Sequence, residues 1–248
     1  MSKILEKIMF KRLEQHIESN NIYATEQFGF RKGVHIENSI FTLTDNILIA
    51  LNQWQQEGGI FCNLTKAFDC VNYTILLNKL CYYGIRGKCH LWFKSYLENR
   101  KQRVSILPHI LERDKSSRWE TVTSWVPQGS ILGPLLFIIY LNDLPCGLHQ
   151  VIYADDTSVL LTAKNGDELK IKVNHTLYNM VGWFSANALD LNMEKTYIMK
   201  CTSSYHQNEA FQIIYQKKTI IGINNTKFLG LELDKNISWK NPVQNIFT

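Results

Sequence analysis

Two adjacent carboxylates sit between two runs of apolar β-formers, in Val151-Ile152-Tyr153-Ala154-Asp155-Asp156-Thr157-Ser158-Val159-Leu160-Leu161. The pattern predicts a strand, a tight turn and a second strand. Carboxylates near an apolar hairpin are costly to bury without a counter-charge. A divalent cation removes that cost, and ligands made only of oxygen suit Mg²⁺. An Asp-Asp pair at a hairpin tip is by itself most often a plain turn. A metal reading needs a further carboxylate from a neighbouring strand and a floor that holds a nucleotide.

The rest of the chain supplies candidates for both. Residues 2–20 read as an amphipathic helix with Ile4, Leu5, Ile8, Met9, Leu13 and Ile17 on one face. A turn-rich segment, Gln27 to Gly33, precedes a second helix over about Glu37–Gln55, which Gly58-Gly59 is expected to end. A short strand, Ile60–Leu64, leads through Lys66-Ala67-Phe68-Asp69 into a helix that runs to Leu80, and another helix covers about Leu91–Leu97. Residues 100–126 suggest a hairpin with a polar tip, and Pro127-Gln128-Gly129 breaks the chain before a helix over about Ser130–Asn142. A long helix follows over roughly Asp167–Leu189. Short strands are expected at Thr196–Cys201, Phe211–Tyr215, Thr219–Ile223 and Phe228–Leu233. Helices mixed with mainly antiparallel strands make the fold class α+β.

Composition excludes several alternatives. With 45% hydrophobic and 20% charged residues over 248 positions, the chain is neither disordered nor fibrous. Its longest apolar run, Ile131–Leu141, is interrupted by Gly133 and Pro134 and falls well short of the roughly 20 residues a membrane span needs. The charged start, Met1 to Lys7, is not a secretory signal. The six cysteines include no C-x-x-C pair, so the default is reduced thiols in an intracellular protein, cytoplasmic or nuclear.

The net charge of +5 is unevenly spread: Arg86–Arg118 holds nine basic and three acidic residues. Trp92, Phe93, Tyr96 and Trp119 interleave with them. Such a stretch suits a polyanion with stackable bases, with Lys94, Arg100, Lys101 and Arg103 as contacts. A solvated basic face over a few core aromatics fits the same residues.

Six motifs occur in order. They are Gln27-Phe28-Gly29-Phe30-Arg31; Phe61-Cys62-Asn63-Leu64-Thr65-Lys66-Ala67-Phe68-Asp69-Cys70-Val71; Val126-Pro127-Gln128-Gly129-Ser130-Ile131-Leu132-Gly133-Pro134-Leu135-Leu136-Phe137; Tyr153-Ala154-Asp155-Asp156; Asn192-Met193-Glu194-Lys195-Thr196; and Lys227-Phe228-Leu229-Gly230. In this order they resemble the reverse transcriptase domain of non-LTR retrotransposons of the insect type, over almost the whole chain.

The resemblance implies a right-hand polymerase architecture of fingers and palm, with an antiparallel palm sheet packed on helices and a thumb missing or truncated. Residues 1–58 would be the fingers-like part and 59–248 the palm, carrying an inserted basic segment, 86–126. It implies RNA-directed DNA synthesis on an RNA template from a DNA primer, with deoxynucleoside triphosphates as substrates and two Mg²⁺ ions as cofactors. Neither a membrane nor a protein partner is implied. Asp155 and Asp156 would be metal ligands, and Lys195 a proton donor or phosphate contact. Phe68 would select deoxyribose, Gln128 and Gly129 would line the nucleotide, and Arg31 would be a fingers cation near template or triphosphate.

One departure bears on the chemistry. The first palm motif in that family opens Phe-x-Asp-Leu, whereas here it reads Phe61-Cys62-Asn63-Leu64. An amide ligates a cation weakly, brings no charge and cannot bridge two ions. Asp69 lies six residues further on and is no obvious substitute. Lesser departures are Trp125, His35-Ile36-Glu37 and Pro242. The expectation is a polymerase domain with impaired catalysis, set against a binding-only remnant that holds nucleic acid. An unrelated globular domain with a chance carboxylate pair is disfavoured by the motif order.

Overall fold

The computed structural model describes residues 2–98, 100–106, 115–122, 124, 126, 129–145, 149–201, 211–215 and 218–237. In chain order its elements open with α1 (Ser2–Ser19), α2 (Ile36–Asn52), β1 (Gln56–Asn63), α3 (Tyr73–Tyr82) and α4 (Gly87–Leu97). Four two-residue strands follow: β2 (Lys101–Gln102), β3 (Ser105–Ile106), β4 (Lys115–Ser116) and β5 (Glu120–Thr121). Next come α5 (Gly133–Leu141), β6 (His149–Tyr153), β7 (Asp156–Ala163), α6 (Gly166–Ala186) and β8 (Tyr197–Cys201). The described chain closes with β9 (Gln212–Tyr215), β10 (Lys218–Ile221), β11 (Asn225–Phe228) and β12 (Leu231–Asp234). Helix and sheet are mixed, as the α+β class requires. Among the described residues no helix is long and apolar enough to cross a membrane.

Contacts divide the chain into two compact units. The first comprises Met1–Ile22 and Phe68–Tyr140. In it, Asn72 caps α3 by accepting from the Ile75 N–H. The short strands pair as a ribbon, Lys101 opposite Thr121 and Ser105 opposite Ser116, as the hairpin expectation had it. The tip of that hairpin, residues 107–114, lies outside the described residues. Helix α5 is apolar all round, and Leu135 to Tyr140 are each at most 1% exposed, the pattern of a helix enclosed on every side. Helix α1 departs from expectation: Leu13 and Ile17 are buried, but Ile4, Leu5 and Ile8 are exposed.

The second unit, Tyr23–Ala67 with Leu141–Thr248, is built on an antiparallel four-stranded sheet of order β6-β7-β1-β8. Helix α6 starts where the Asn165 side chain accepts from the Glu168 N–H while the Glu168 carboxylate accepts from the Lys164 N–H. It buries Leu169, Val173, Leu177, Met180 and Phe184. It ends at Ala186 rather than Leu189, because Ala188 takes a left-handed conformation and the Leu189 N–H closes on the Phe184 carbonyl. Leu43 and Ile47 of α2 form one core with Phe61, Val151, Leu160 and Met199. Strand alternation puts those sheet residues on one face and leaves Gly58, Ile60 and Val159 on the other.

Two expectations need correction here. Gly58-Gly59 does not end a helix but lies inside β1. A Cβ at Gly58 would come 3.1 Å from the Leu169 side chain of α6, and one at Gly59 would come 2.7 Å from the Phe61 ring. The two glycines therefore let a helix and an aromatic ring close on opposite faces of the central strand. The single strand expected over Phe228–Leu233 is a hairpin, β11 against β12, turning at Leu229 and Gly230, which both have positive φ.

Glu57, on β1, is 1% exposed, and neither carboxylate oxygen has a hydrogen-bond partner among the described residues. Its strand neighbour is Cys201, also buried. Burial pushes the Glu57 carboxyl up to about 8, so it is protonated in the folded chain at neutral pH. The unfolded chain releases that proton near 4.5, the ordinary value. Stability from the neutral form is thus complete below about 4.5 and lost as pH rises through about 8. Between pH 5 and 7 the unfolding free energy should fall by about 2–3 kcal/mol from this group. Denaturant titrations at pH 5, 6.5 and 8 should show that slope in the native chain and its loss in Glu57→Gln; parallel pH profiles would refute it.

Candidate active site

The end of β1 and the start of β7 define the site, because their register makes Asn63 and Asp156 direct partners. The Asn63 Nδ2 donates to Asp156 Oδ1 at 2.9 Å. Asp155 occupies the turn between β6 and β7 together with Ala154, which has φ +58°. Both aspartates are half-buried. Burial, then the neighbouring Asp156 charge, push the Asp155 carboxyl above the ordinary carboxylate range, while its own backbone N–H and the Lys195 ammonium oppose the shift.

Lys195 reaches this corner through a short chain of hydrogen bonds. The Asn192 N–H donates to the Asn63 carbonyl at 2.9 Å, tying the segment after α6 to the end of β1. The Asn192 side chain then accepts from the N–H groups of Glu194 and Lys195, starting a single turn of 3₁₀ helix over Met193–Lys195. The Thr196 hydroxyl donates back to the Asn192 carbonyl at 2.8 Å. The fourth motif is thus a self-closed turn that presents Lys195. An open cleft of about 240 Å³ is lined by Asn63, Asp156, Ser158, Lys195 and Tyr197, with Lys227 and Phe228 of the β11–β12 hairpin.

The turn bearing Asp155 is gripped from behind by the Gln27-Phe28-Gly29 segment. The Phe28 N–H donates to the Ile152 carbonyl at 2.8 Å, and the Ile152 N–H donates to the Glu26 carbonyl at 2.8 Å. Buried Gln27 accepts the Gly29 N–H on its side-chain oxygen at 3.0 Å. A Cβ at Gly29 would lie 2.4 Å from the Ala154 nitrogen. The sequence motif marks this segment, but its contact with the aspartate turn could not be read from it. Arg31 folds back on the same segment. Its guanidinium donates to the carbonyls of Ala24 and Gln27 and lies 4.7 Å from the centre of the Tyr23 ring.

The remaining expected residues belong to the first unit. Phe68 stacks on Phe137 with ring centres 4.3 Å apart, and its carbonyl accepts from the Val126 N–H. Gly129 is exposed at φ +79°, with nothing within 4 Å of where a Cβ would stand. Lys94, Lys101 and Arg103 are exposed, and Arg103 covers the Trp119 ring at 4.8 Å. Trp92 and Tyr96 stack at 5.4 Å. Arg100 is half-buried, with its side chain hydrogen-bonded to the Tyr73 hydroxyl, which in turn donates to the Ser124 carbonyl. Gln128, Trp125 and Pro242 lie outside the described residues.

The donor set does not fit a two-ion centre. Among the described residues no three or more His, Cys, Asp or Glu side chains come together as a metal group. The third position offers an N–H to Asp156 where an ion would need a lone pair.

The model of the reverse transcriptase (RNA-dependent DNA polymerase) family matches residues 1–233. A probable RNA-directed DNA polymerase from transposon BS of Drosophila melanogaster is 28% identical, over 96% of this chain and 27% of that protein. The RNA-directed DNA polymerase from mobile element jockey of the same organism is 26% identical, over 99% of this chain and 27% of that protein. The chain therefore spans about a quarter of the length of these relatives. Among solved structures, a telomerase from Candida tropicalis in complex with a TWJ fragment of telomeric RNA aligns with a TM-score of 0.58 at 12% identity, over 93% of this chain and 37% of that one. At that identity the likeness concerns the fold alone.

Proposed function

The chain belongs to the reverse transcriptase (RNA-dependent DNA polymerase) family, and from that premise we propose that it is the fingers and palm of a non-LTR retrotransposon polymerase whose nucleotidyl transfer is impaired at Asn63. Reverse transcriptases generally work with divalent metal ions, an RNA template, a primer and deoxynucleoside triphosphates, and the reading assigns those substrates to this domain. It takes 1–58 as fingers-like and 59–248 as palm, with 86–126 as the inserted basic segment and the thumb missing or truncated.

The observation that carries the reading is the register of Asn63 against Asp156, beside the turn of Asp155. It supports the three palm positions sharing one corner of one sheet. What these residues do without a third acid is limited. Lys195 and Lys227 place two ammonium groups at the cleft, where a phosphate oxygen or a leaving pyrophosphate would be met. Phe68 is assigned to the sugar, Gln128 and Gly129 to the lining of the nucleotide, and Arg31 to the stability of its own segment.

Template and primer are assigned to the exposed cations Lys94, Lys101 and Arg103, with Trp92, Tyr96 and Trp119 as stacking surfaces. Arg100, committed to Tyr73, is left out of that set. Fluorescence anisotropy with a DNA primer annealed to RNA tests the reading. Binding should weaken with salt, and Lys94→Glu, Lys101→Glu and Arg103→Glu together should lower affinity about 10-fold or more and flatten the log-log salt slope by roughly 0.7–0.9 per lost contact. Unchanged affinity and slope in a folded triple variant would leave the stretch as a solvated face.

A further inference from the structure

We propose that the Asn63 amide has taken over the role of a divalent ion in this cleft, so that the folded chain neither needs nor gains from Mg²⁺. The inference rests on the reading that residues 63, 155 and 156 occupy the palm's metal positions.

Two neighbouring half-buried carboxylates at the end of an apolar sheet are disfavoured as charged groups unless something compensates them. Here a hydrogen-bond donor does part of that work, since Asn63 Nδ2 stands 2.9 Å from Asp156 Oδ1. The orientation follows from the partner: turned over, the amide would set its own oxygen against a carboxylate oxygen. In the orientation observed, one Asp156 oxygen is engaged by an N–H, and among the described residues no third acid joins the two aspartates in a metal group. Lys195 and Lys227 line the same cleft and supply positive charge. The arrangement is also held from the main chain, because the Asn63 carbonyl accepts from the Asn192 N–H that leads into the Lys195 turn. Donor and strand register thus engage Asp156 from within the chain, with two exposed lysines adding positive charge along the cleft. An entering ion would compete with the Asn63 N–H for Asp156 and meet two lysines lining the cleft, with one fewer anionic ligand in return.

The consequence is read by ion binding and not by synthesis. Mn²⁺ titration followed by electron paramagnetic resonance, using the ion alone, should show no saturable site in the native chain at this cleft. The native thermal midpoint should be the same in EDTA and in MgCl₂. Asn63→Asp should reverse both results. It should unfold at a lower temperature in EDTA, recover in MgCl₂, and bind Mn²⁺ at least about 10–100-fold more tightly, the range lost when even an outer partner of a metal ligand is removed.

A saturable Mn²⁺ site in the native chain, abolished by Asp156→Asn, overturns the inference and leaves the palm reading intact. A folded Asn63→Asp chain that gains no ion affinity overturns the inference together with the palm reading beneath it. The native-chain titration stands without any variant, so a poorly folding Asn63→Asp does not remove the test.

Discussion

Asn63→Asp should raise primer extension on an RNA template by about 10²–10³-fold, the scale attached to a single group that stabilises charge in a transition state. The native cleft presents the carboxylate of Asp156, one oxygen of which is bonded to the Asn63 amide, next to the turn that carries Asp155. Aspartate at 63 is nearly isosteric and sits on the same strand position, directly across from Asp156. The change replaces a donor by an anionic acceptor and leaves the fold-determining contacts of β1 in place. Incorporation of labelled deoxynucleotide, with MgCl₂ and with MnCl₂, gives the readout. Activity of the variant should vanish again with Asp155→Asn added. Brisk synthesis by the native chain, or equal rates for the two forms, would show that position 63 does not limit transfer. The measurement separates a polymerase disabled by one amide from a domain that only binds.

Much of this site is written locally in the sequence. The Asp155-Asp156 turn, the apolar strands on either side and the periodic face of α6 depend on neighbours close in the chain, and period and turn chemistry expose them. The rest depends on partners far away. Gly58-Gly59 reads as a helix end because glycine is a breaker. The deciding factor is that Leu169 and Phe61 close on the two faces of that strand. Leu229 gives no turn signal, since a leucine at φ +47° is held there by the hairpin around it and not by its own preference. The helical stripe of α1 is real, but periodicity cannot say how far along the stripe a cover extends, and Ile4, Leu5 and Ile8 are left exposed. Glu57 carries no local signal of burial; strand register puts it inside beside Cys201. Arg100 reads as one more cation in a basic run until the Tyr73 hydroxyl is seen to hold it. Composition could locate the charge but not the direction of each side chain.

The same dependence on distant partners makes Gly29→Ala the most damaging small substitution in the second unit. The added methyl carbon would stand 2.4 Å from the Ala154 nitrogen, 3.1 Å from the Tyr153 carbonyl carbon and 3.2 Å from the Tyr153 Cα. All three are backbone atoms, so no side-chain rotation relieves the clash. Either the Asp155 turn moves or the Gln27–Gly29 segment lifts off β6, with loss of the Phe28 and Gly29 N–H bonds to the Ile152 carbonyl. Ala154 already holds a left-handed conformation at φ +58°, so the turn has little room to adapt. Overpacking of this kind costs about 1–3 kcal/mol, and each lost hydrogen bond adds about 1. The expected loss on urea unfolding is therefore about 3–5 kcal/mol. Gly33→Ala is the matched control, because Gly33 also has positive φ, at +74°, but has nothing within 4 Å of its missing Cβ. That change should cost only about 1 kcal/mol. Hydrogen exchange should rise at Ile152 and Phe28 in Gly29→Ala and stay native in Gly33→Ala. In the Asn63→Asp background, extension should fall with Gly29→Ala and survive Gly33→Ala, at a temperature where both remain folded. Equal stability losses for the two glycines would mean that the segment does not grip the aspartate turn.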